Sequence, residues 1–413
     1  MSQPSPGAGL PLRIQDSGRY FETPDGTPWF WLADTSWSMC TDYTPEETRT
    51  YLMKRAQTGF SLVQISPIFD GGTMTERGDN PNRNTEGFQP WIDHDPLRPV
   101  EEFWQNVDAT VHLARELGLY VGLLPAWGSY VVNTKMITRS NARAYGRWLG
   151  RRYRNEPNII WIVGGDRKLV DERETWCEIA RGLAEGDGGA HLITFHPGCE
   201  EHSTSFGFHQ EPWLAMNMVQ TWKDYINIPG YVAEGYQLMP PKPVILAEGA
   251  YEDGPEYSQP ITPLVIRKQA WWSYLSGGFH TYGHGDMWKK NPTWEKSLTS
   301  EGTRNIRVLR DLFDSLDWWN LVPAQEIFVR EQVKGAAFNS AARSKQGNWA
   351  LIYLAGATTV ELRLDGLRSA KVSATWLHPA NGGRISSGDV SGKLASFTTP
   401  DGWEDAVLAL RAK

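Results

Sequence analysis

Between residues 29 and about 320, short apolar runs alternate with amphipathic helical patterns, and few folds accommodate that alternation. The first run, "PWFWLADTSW", is followed by Thr44-Pro45-Glu46-Glu47, a capping box with proline at the first helical position, which predicts a helix to about Gly59. Then come "SLVQISPIF", a helix over "PVEEFWQNVDATVHLARELG", the run "LYVGLLPAW" and a helix over "TRSNARAYGRWLGRRYRNEP". "NIIWIVGGDRK" comes next, and Asp171-x-x-Glu174 is expected to cap a helix over "ETWCEIARGLAEG". "HLITFHPG", "AMNMVQTW", "PVILAEGAYE", a helix over "PLVIRKQAWWSYLSGG", "FHTYGHGD" and a helix over "TRNIRVLRDLFDSLDW" complete the series. In that last helix Ile306, Leu309, Leu312, Phe313 and Leu316 share one face.

Eight strand segments with helices between most of them, in about 290 residues, predict an α/β fold: a (β/α)8 barrel over 1–322, with 1–28 packing on it. The competing doubly wound open sheet normally takes a nucleotide at a Gly-rich first turn, and neither G-x-G-x-x-G nor G-x-x-x-x-G-K-[ST] occurs. Past residue 322 the pattern becomes short alternating runs ("NWALIYLAG", "TTVELRLDGL", "KVSATWLHP", "KLASFTTPDG", "DAVLALRAK") split by Gly, Pro, Asn and Asp. These predict a smaller antiparallel β-sandwich over 323–413. It carries no convergent acidic pair and is expected to stabilise rather than catalyse.

The net charge of −7 and the lack of a basic run speak against a nucleic-acid partner. No apolar stretch approaches the roughly 20 residues of a membrane span. The N-terminus shows neither the basic nor the apolar region of a signal peptide, which points to the cytoplasm unless a leader has been removed. Cys40, Cys177 and Cys199 are too few and too far apart for a disulfide framework or a metal knuckle, and are expected as buried thiols. Twenty tryptophans among 413 residues are many. Part of them must build an aromatic core, and part suit a site where sugar rings stack on flat faces.

Chemistry in such a barrel occurs at the C-terminal strand ends. Read along the chain, those ends carry Asp34, Thr35 and Trp37; Gln64 and Asp70; Trp127; Asp166; His196; Gln220 and Trp222; Glu248, Tyr251 and Glu252; and His280, Tyr282, His284, Asp286 and Trp288. Amides, imidazoles and aromatics of this kind suit a polyhydroxylated ligand. Trp37, Trp127, Trp222 and Trp288 are the wall candidates, whereas Trp148, Trp161, Trp176 and Trp271 fall within elements and are expected in the core.

Two carboxylates stand apart. Asp166 ends strand four behind Gly164-Gly165, and Glu248 ends strand seven before Gly249. Strands four and seven lie on opposite sides of the mouth, so these groups face each other. Glycoside hydrolysis needs one carboxylic acid at the leaving oxygen and one carboxylate at the anomeric carbon. The bland alternative is that Asp166 caps the next helix or pairs with Arg167. The two roles require Asp166 protonated, through poor solvation and the nearby Glu248, and Glu248 ionised, helped by neighbours such as Tyr282 or His196.

"GRYFETPDGTPWFWLADTSW", "YLMKRAQTGFSLVQ", "NIIWIVGGD" and "PVILAEGAYE" together resemble the apiosidase-like enzymes of glycoside hydrolase family 140. "WLHPANGGRIS" and "FTTPDGWEDAVLAL" resemble the collagen-binding-type sandwich domain that accompanies that barrel. The resemblance implies hydrolysis of β-linked apiose from plant oligosaccharides or glycosides, with Asp166 as acid/base and Glu248 as nucleophile. No cofactor and no metal are expected. Related barrel glycosidases usually place Asn-Glu at strand four, where this chain has Gly-Asp. Arabinofuranosides and other β-glycosides are alternative substrates. Barrel glycosidases with acids on strands four and seven are generally retaining, which predicts carboxyl groups about 5–5.5 Å apart, whereas roughly 6.5–9.5 Å would imply inversion.

Two rival readings start from other residues. His196, His202, His209, His280 and His284 would suit a metal-dependent hydrolase, but His280-x-x-x-His284 falls on a strand end, not on a helix face. A non-catalytic carbohydrate-binding protein would use the aromatics and the sandwich, but has no need of a second opposed acid.

Overall fold

Eight short strands with nearly every residue buried form one parallel sheet: β1 (Leu32–Thr35), β2 (Leu62–Ile65), β3 (Tyr120–Leu123), β4 (Ile159–Arg167), β5 (Ile193–Pro197), β6 (Asn217–Gln220), β7 (Val244–Glu248) and β8 (Phe279–Tyr282). The computed structural model describes residues 9–69, 83–255, 257 and 259–413. Neighbouring strands run β5-β4-β3-β2-β1-β8-β7-β6. The ring closes between β5 and β6, where Ala215 N donates to Ile193 O (2.8 Å) and Leu214 bridges Ile193. The runs are apolar on both faces because one face packs the barrel interior and the other the helices. The predicted (β/α)8 barrel is the observed fold.

Among the described residues seven helices of ten or more residues surround it: α1 (Pro45–Thr58), α2 (Glu101–Glu116), α3 (Ala142–Tyr153), α4 (Arg173–Asp187), α5 (Ile228–Gln237), α6 (Pro263–Leu275) and α7 (Glu301–Asp314). The capping box of α1 is formed: Glu47 N donates to Thr44 Oγ1, and Thr44 N to Glu47 Oε2. The capping expected from Asp171 is not. Residues Leu169–Glu172 form a 3-10 turn, and Glu172, the N-cap of α4, makes no side-chain capping bond. Helix α5 escapes the sequence pattern because Pro229, Gly230 and Gly235 interrupt its periodicity. At Gly235 the fit is close, since a Cβ would lie 3.0 Å from Val244 Cγ2.

Helices α3 and α4, which flank β4 in the chain, touch backbone to backbone. Gly146 and Gly150 face Gly182 and Gly186, and a Cβ at any of the four would fall 2.3–2.4 Å from a carbonyl oxygen of the opposite helix. Trp148, expected in the core, is half-buried against it, while Trp161, Trp176 and Trp271 are fully buried. A small antiparallel sheet (Arg13–Ile14, Phe21–Glu22, Pro28–Trp29) closes the N-terminal end of the barrel. Its Phe21 and Trp29 pack on Trp31, and Trp29 also on Tyr120.

The C-terminal region is the predicted antiparallel unit. A six-stranded sheet runs Leu321–Pro323, Ser340–Ser344, Trp349–Leu354, Ala406–Ala412, Lys371–Leu377, Arg384–Ser391, and a second sheet pairs Thr359–Arg363 with Leu394–Thr398. Arg384–Ser391 carries no apolar alternation and is exposed almost throughout, so its sequence does not announce a strand. Trp349–Leu354 is buried on both faces. Ala350, Ile352 and Leu354 enter the sandwich core, while Trp349, Leu351 and Tyr353 join the barrel core.

That shared strand explains how the two regions hold together. Tyr353 stacks on Trp271 of α6 (5.9 Å, 14°), and its hydroxyl donates to Asp405 Oδ2 (2.8 Å). Asp405, fully buried, also accepts from Arg267 Nη2 at 2.9 Å, and Arg267 Nη1 donates to Asn305. Asp405→Ala strands a buried guanidinium and is expected to destabilise the chain by about 3–5 kcal/mol. Denaturant unfolding reads this directly. An unchanged midpoint would show that Asn305 and the exposed Glu404 are sufficient partners.

Candidate active site

The strand that carries Asp166 ends in a bulge. The ladder between β4 and β5 pairs Gly164 with His196, then resumes at Arg167 with Pro197, leaving Gly165 and Asp166 unpaired. Gly164, Gly165 and Asp166 have φ of 98°, 112° and 48°. Only glycine serves at 165, where a Cβ would lie 2.9 Å from the Trp127 ring, and aspartate is among the few residues that tolerate the left-handed region. Asp166 caps no helix. Arg167 donates to its backbone carbonyl (2.8 Å) and to Asn133 Oδ1 (2.8 Å).

Glu248 ends β7 across the mouth and is 7 % exposed. Gln64 Nε2 donates across the barrel interior to the carbonyl of Ala247 (3.0 Å), and Thr221 N to that of Glu248 (2.9 Å). His196 Nε2 stands 3.3 Å from Glu248 Oε2, close enough for an ion pair but not aligned as a hydrogen bond. The ring is oriented through Nδ1, 3.1 Å from the Pro197 carbonyl. Reactive atoms of Asp166, His196 and Glu248 all lie within 4.8 Å of one another. Among the described residues no other three His, Cys, Asp or Glu groups come as close, and His280 and His284 join no such cluster.

Burial, and then the charge of Glu248, push Asp166 up to about 7, against the opposing pulls of His196, the Gln220 hydrogen bond and Arg167. For His196, burial acts to lower the pKa, but Glu248, Asp166 and the Pro197 carbonyl outweigh it and the net shift is upward. Both shifts follow from packing two carboxylates and an imidazole into one poorly solvated place. Tyr251 is pushed well above an ordinary phenol by burial first and Glu248 second, so it stays protonated.

Several predicted residues gather here. Gln220 Nε2 donates to Asp166 Oδ1 (2.5 Å). Trp37 packs on Trp127 (5.0 Å) and edge-on to His196 (5.4 Å), and its Nε1 donates to Tyr251 OH (3.1 Å). Thr35 lies beneath, with Gln64 Nε2 donating to its hydroxyl (3.3 Å). Trp222 is half-buried in left-handed backbone (φ 45°), its ring 5.8 Å from Tyr257. Trp288 is half-buried near Phe69 (6.1 Å).

Others face away. Asp34 is fully buried towards α1, where Oδ2 accepts from Arg55 Nε and Tyr51 OH, both at 2.6 Å. Tyr282 does not reach Glu248, because its hydroxyl donates to Glu252 and shares a bond with Ser300. Glu252 also accepts from Gly302 N (2.9 Å) at the start of α7, a structural duty. His280 lies two residues before Tyr282 on the same face of β8, buried and with both nitrogens unpartnered. Desolvation pushes it down to about 3, which keeps it neutral. His284 is buried with Nδ1 accepting from Asp286 N (3.1 Å), and Asp286 is engaged by Thr293 and Ser297. For Asp34, His280 and Tyr282 the reason is that alternate strand residues point outward, with the phase set by the barrel, whereas Glu252, His284 and Asp286 lie past the strand ends. Asp70 lies outside the described residues.

Cys40 and Cys177 are buried as expected, but Cys199 is only half-buried. Burial first, and then the charges of Glu200, Asp166 and Glu248, push its thiol up. Tyr257 and Phe69 were missed. Tyr257 accepts from Tyr251 N (3.0 Å) from a loop six residues past it, and Phe69 meets Trp127 edge-on (4.8 Å) from the end of an apolar run. The signal for both was an aromatic side chain in a segment following a barrel strand.

A family model described as "Apiosidase-like, catalytic domain" matches residues 15–320, and one described as "Putative collagen-binding domain of a collagenase" matches 322–411. No curated protein matches the chain. A solved glycoside hydrolase family 5 protein from Bacteroides vulgatus is 25% identical with TM-score 0.88, over 98% of this chain and 94% of that one. Another, described as a glycoside hydrolase, is 25% identical with TM-score 0.89, over 100% and 99%. A β-L-arabinopyranosidase from Geobacillus stearothermophilus shares the fold at 12% identity and TM-score 0.56, over 98% of each chain. The chain belongs to the apiosidase-like family and is a glycoside hydrolase.

Proposed function

We propose that this glycoside hydrolase is a family 140 apiosidase that releases terminal β-linked apiose from plant oligosaccharides or glycosides with retention of configuration. The match of an apiosidase-like catalytic domain across residues 15–320 supports the sugar. The observation that carries the mechanism is the pair of carboxylates across the mouth, with oxygen atoms within 4.8 Å and Asp166 pushed up to about 7. Retaining enzymes hold such groups about 5–5.5 Å apart, whereas inverting ones need roughly 6.5–9.5 Å to admit a water between them.

In this reading Glu248 attacks the anomeric carbon while Asp166 gives its proton to the departing oxygen, so the glycosidic bond breaks as the glycosyl–Glu248 ester forms. Asp166, now a carboxylate, takes a proton from water, which attacks the same carbon and frees Glu248. His196 lies against Glu248 and orients it, and Trp37 and Trp127 supply flat apolar faces for the sugar ring.

A panel of aryl glycosides and natural apiosides tests the assignment, with the first-formed anomer followed by NMR. Turnover is expected on β-apiosides above arabinofuranosides and hexosides, with the initial anomer retained. Turnover of hexosides without apiosidase activity would remove the apiose assignment, and an inverted first product would remove the nucleophile role of Glu248.

A further inference from the structure

Gln220 is 3 % exposed, and its amide meets the carboxyl of Asp166. Its backbone, at the end of β6, is in register with Glu248 of β7 and donates to His202 O (2.9 Å). Its side chain reaches the other way, Nε2 donating to Asp166 Oδ1 at 2.5 Å, while Oε1 is buried without a partner. We propose that Gln220 is a positioning residue for Asp166, holding the carboxyl in one rotamer with Oδ1 as acceptor so that the transferable proton is carried on Oδ2. This rests on Asp166 being the acid of the proposed function.

The chemistry of the amide makes the constraint directional. An amide N–H can only donate, so the oxygen it meets cannot be the protonated one, and the single proton of the neutral acid lies on the other. Asp166 needs such a partner more than an ordinary strand residue does. It stands in a bulge with left-handed backbone, and among the described residues no arginine donates to its carboxyl, Arg167 bonding its backbone carbonyl and Asn133 instead. Gln220 is anchored by the ladder that places Glu248, so one residue sets the spacing of both acids.

Among the described residues the charged and titratable groups that bear on Asp166 are Glu248 from β7, His196 from β5 and the adjacent Arg167. The Cys199 thiol and the Tyr251 phenol lie near enough to feel its charge. Against this background a donor on Oδ1 stabilises the ionised form and pulls the pKa of Asp166 below what burial and Glu248 would set. Removing the donor therefore moves the pKa further up.

Gln220→Ala and the isosteric Gln220→Glu test this on the full chain, with the unfolding midpoint of each recorded. In both, the alkaline limb of the kcat/KM profile is expected to move to higher pH. For Gln220→Ala, kcat should fall roughly 10- to 100-fold on substrates with poor leaving groups, the range for losing a hydrogen bond to a charged group, and much less on activated aryl glycosides. An unmoved alkaline limb, with the loss confined to KM and equal for both substrate types, would overturn the proposal and make Gln220 a sugar contact through Oε1. Failure of the underlying reading is separate, because Asp166→Ala would then itself show no dependence on the leaving group while Gln220 is intact.

Discussion

Glu248→Ala is expected to lower kcat by on the order of 10^4- to 10^6-fold, the range seen when the nucleophile of a covalent mechanism is removed. The loss is large because the second half of the reaction disappears with the first: without the carboxylate no glycosyl-enzyme ester forms. The site left behind keeps Asp166, His196 and the aromatic walls, and it gains a space beside the anomeric carbon. Formate or azide should occupy that space and restore part of the turnover on activated aryl glycosides, azide yielding a glycosyl azide of opposite configuration to the retained product. Folding is not expected to suffer, since removing one of two opposed carboxylates relieves repulsion. A Glu248→Ala protein that keeps substantial activity would show that the nucleophile lies elsewhere.

Asp166→Ala should divide substrates by leaving group. General acid catalysis contributes typically 10^2- to 10^4-fold, and a loss of about that size is expected for natural aglycones, which leave as poor alkoxides. Activated aryl glycosides need little protonation, so their first step should be nearly spared. Equal losses on both would mean that Asp166 serves in binding or folding. The wild-type pH profile carries the same information. Catalysis needs protonated Asp166, so kcat/KM should fall as pH rises through about 7. Stability follows with a definite sign. The folded-state pKa is raised above the ordinary carboxyl value, so the native state binds more protons than the unfolded chain between about pH 4 and 7, and stability is lost as pH rises through that window. Asp166→Asn removes the titration. Its melting temperature should exceed that of the wild type at pH 8, with little difference at pH 4.

Much of the fold is legible in the chain because the relevant physics is local. A strand buried on both faces must be a continuous apolar run, and a surface helix must repeat its apolar residues every three or four positions, so eight runs and their helices can be counted. The Thr44 capping box and the face of α7 are readable for the same reason. Where periodicity is diluted the reading fails: α5 is broken up by proline and glycine, and Arg384–Ser391 pairs through its backbone with hardly an apolar side chain to mark it.

The candidate site divides along a similar line. That Asp166, Gln220 and Glu248 end barrel strands is a statement about sequence order, and the chain alone carries it. That Asp34, His280 and Tyr282 point to the helix layer is not, because the phase of inward and outward residues is set by the stagger at which eight strands close. Residue 165 must be glycine because the Trp127 ring occupies the space a side chain would need, and Trp127 comes from the segment after β3. The Gln220–Asp166 bond joins residues 54 positions apart, and Arg267–Asp405 joins residues 138 apart. The chain by itself thus determined the barrel, the sandwich and the two opposed acids, since burial and periodicity act between near neighbours. Which groups surround those acids, and what holds them to the point of raising Asp166 to about 7, was decided only by tertiary structure, since desolvation and charge act between atoms that only the closed barrel brings together.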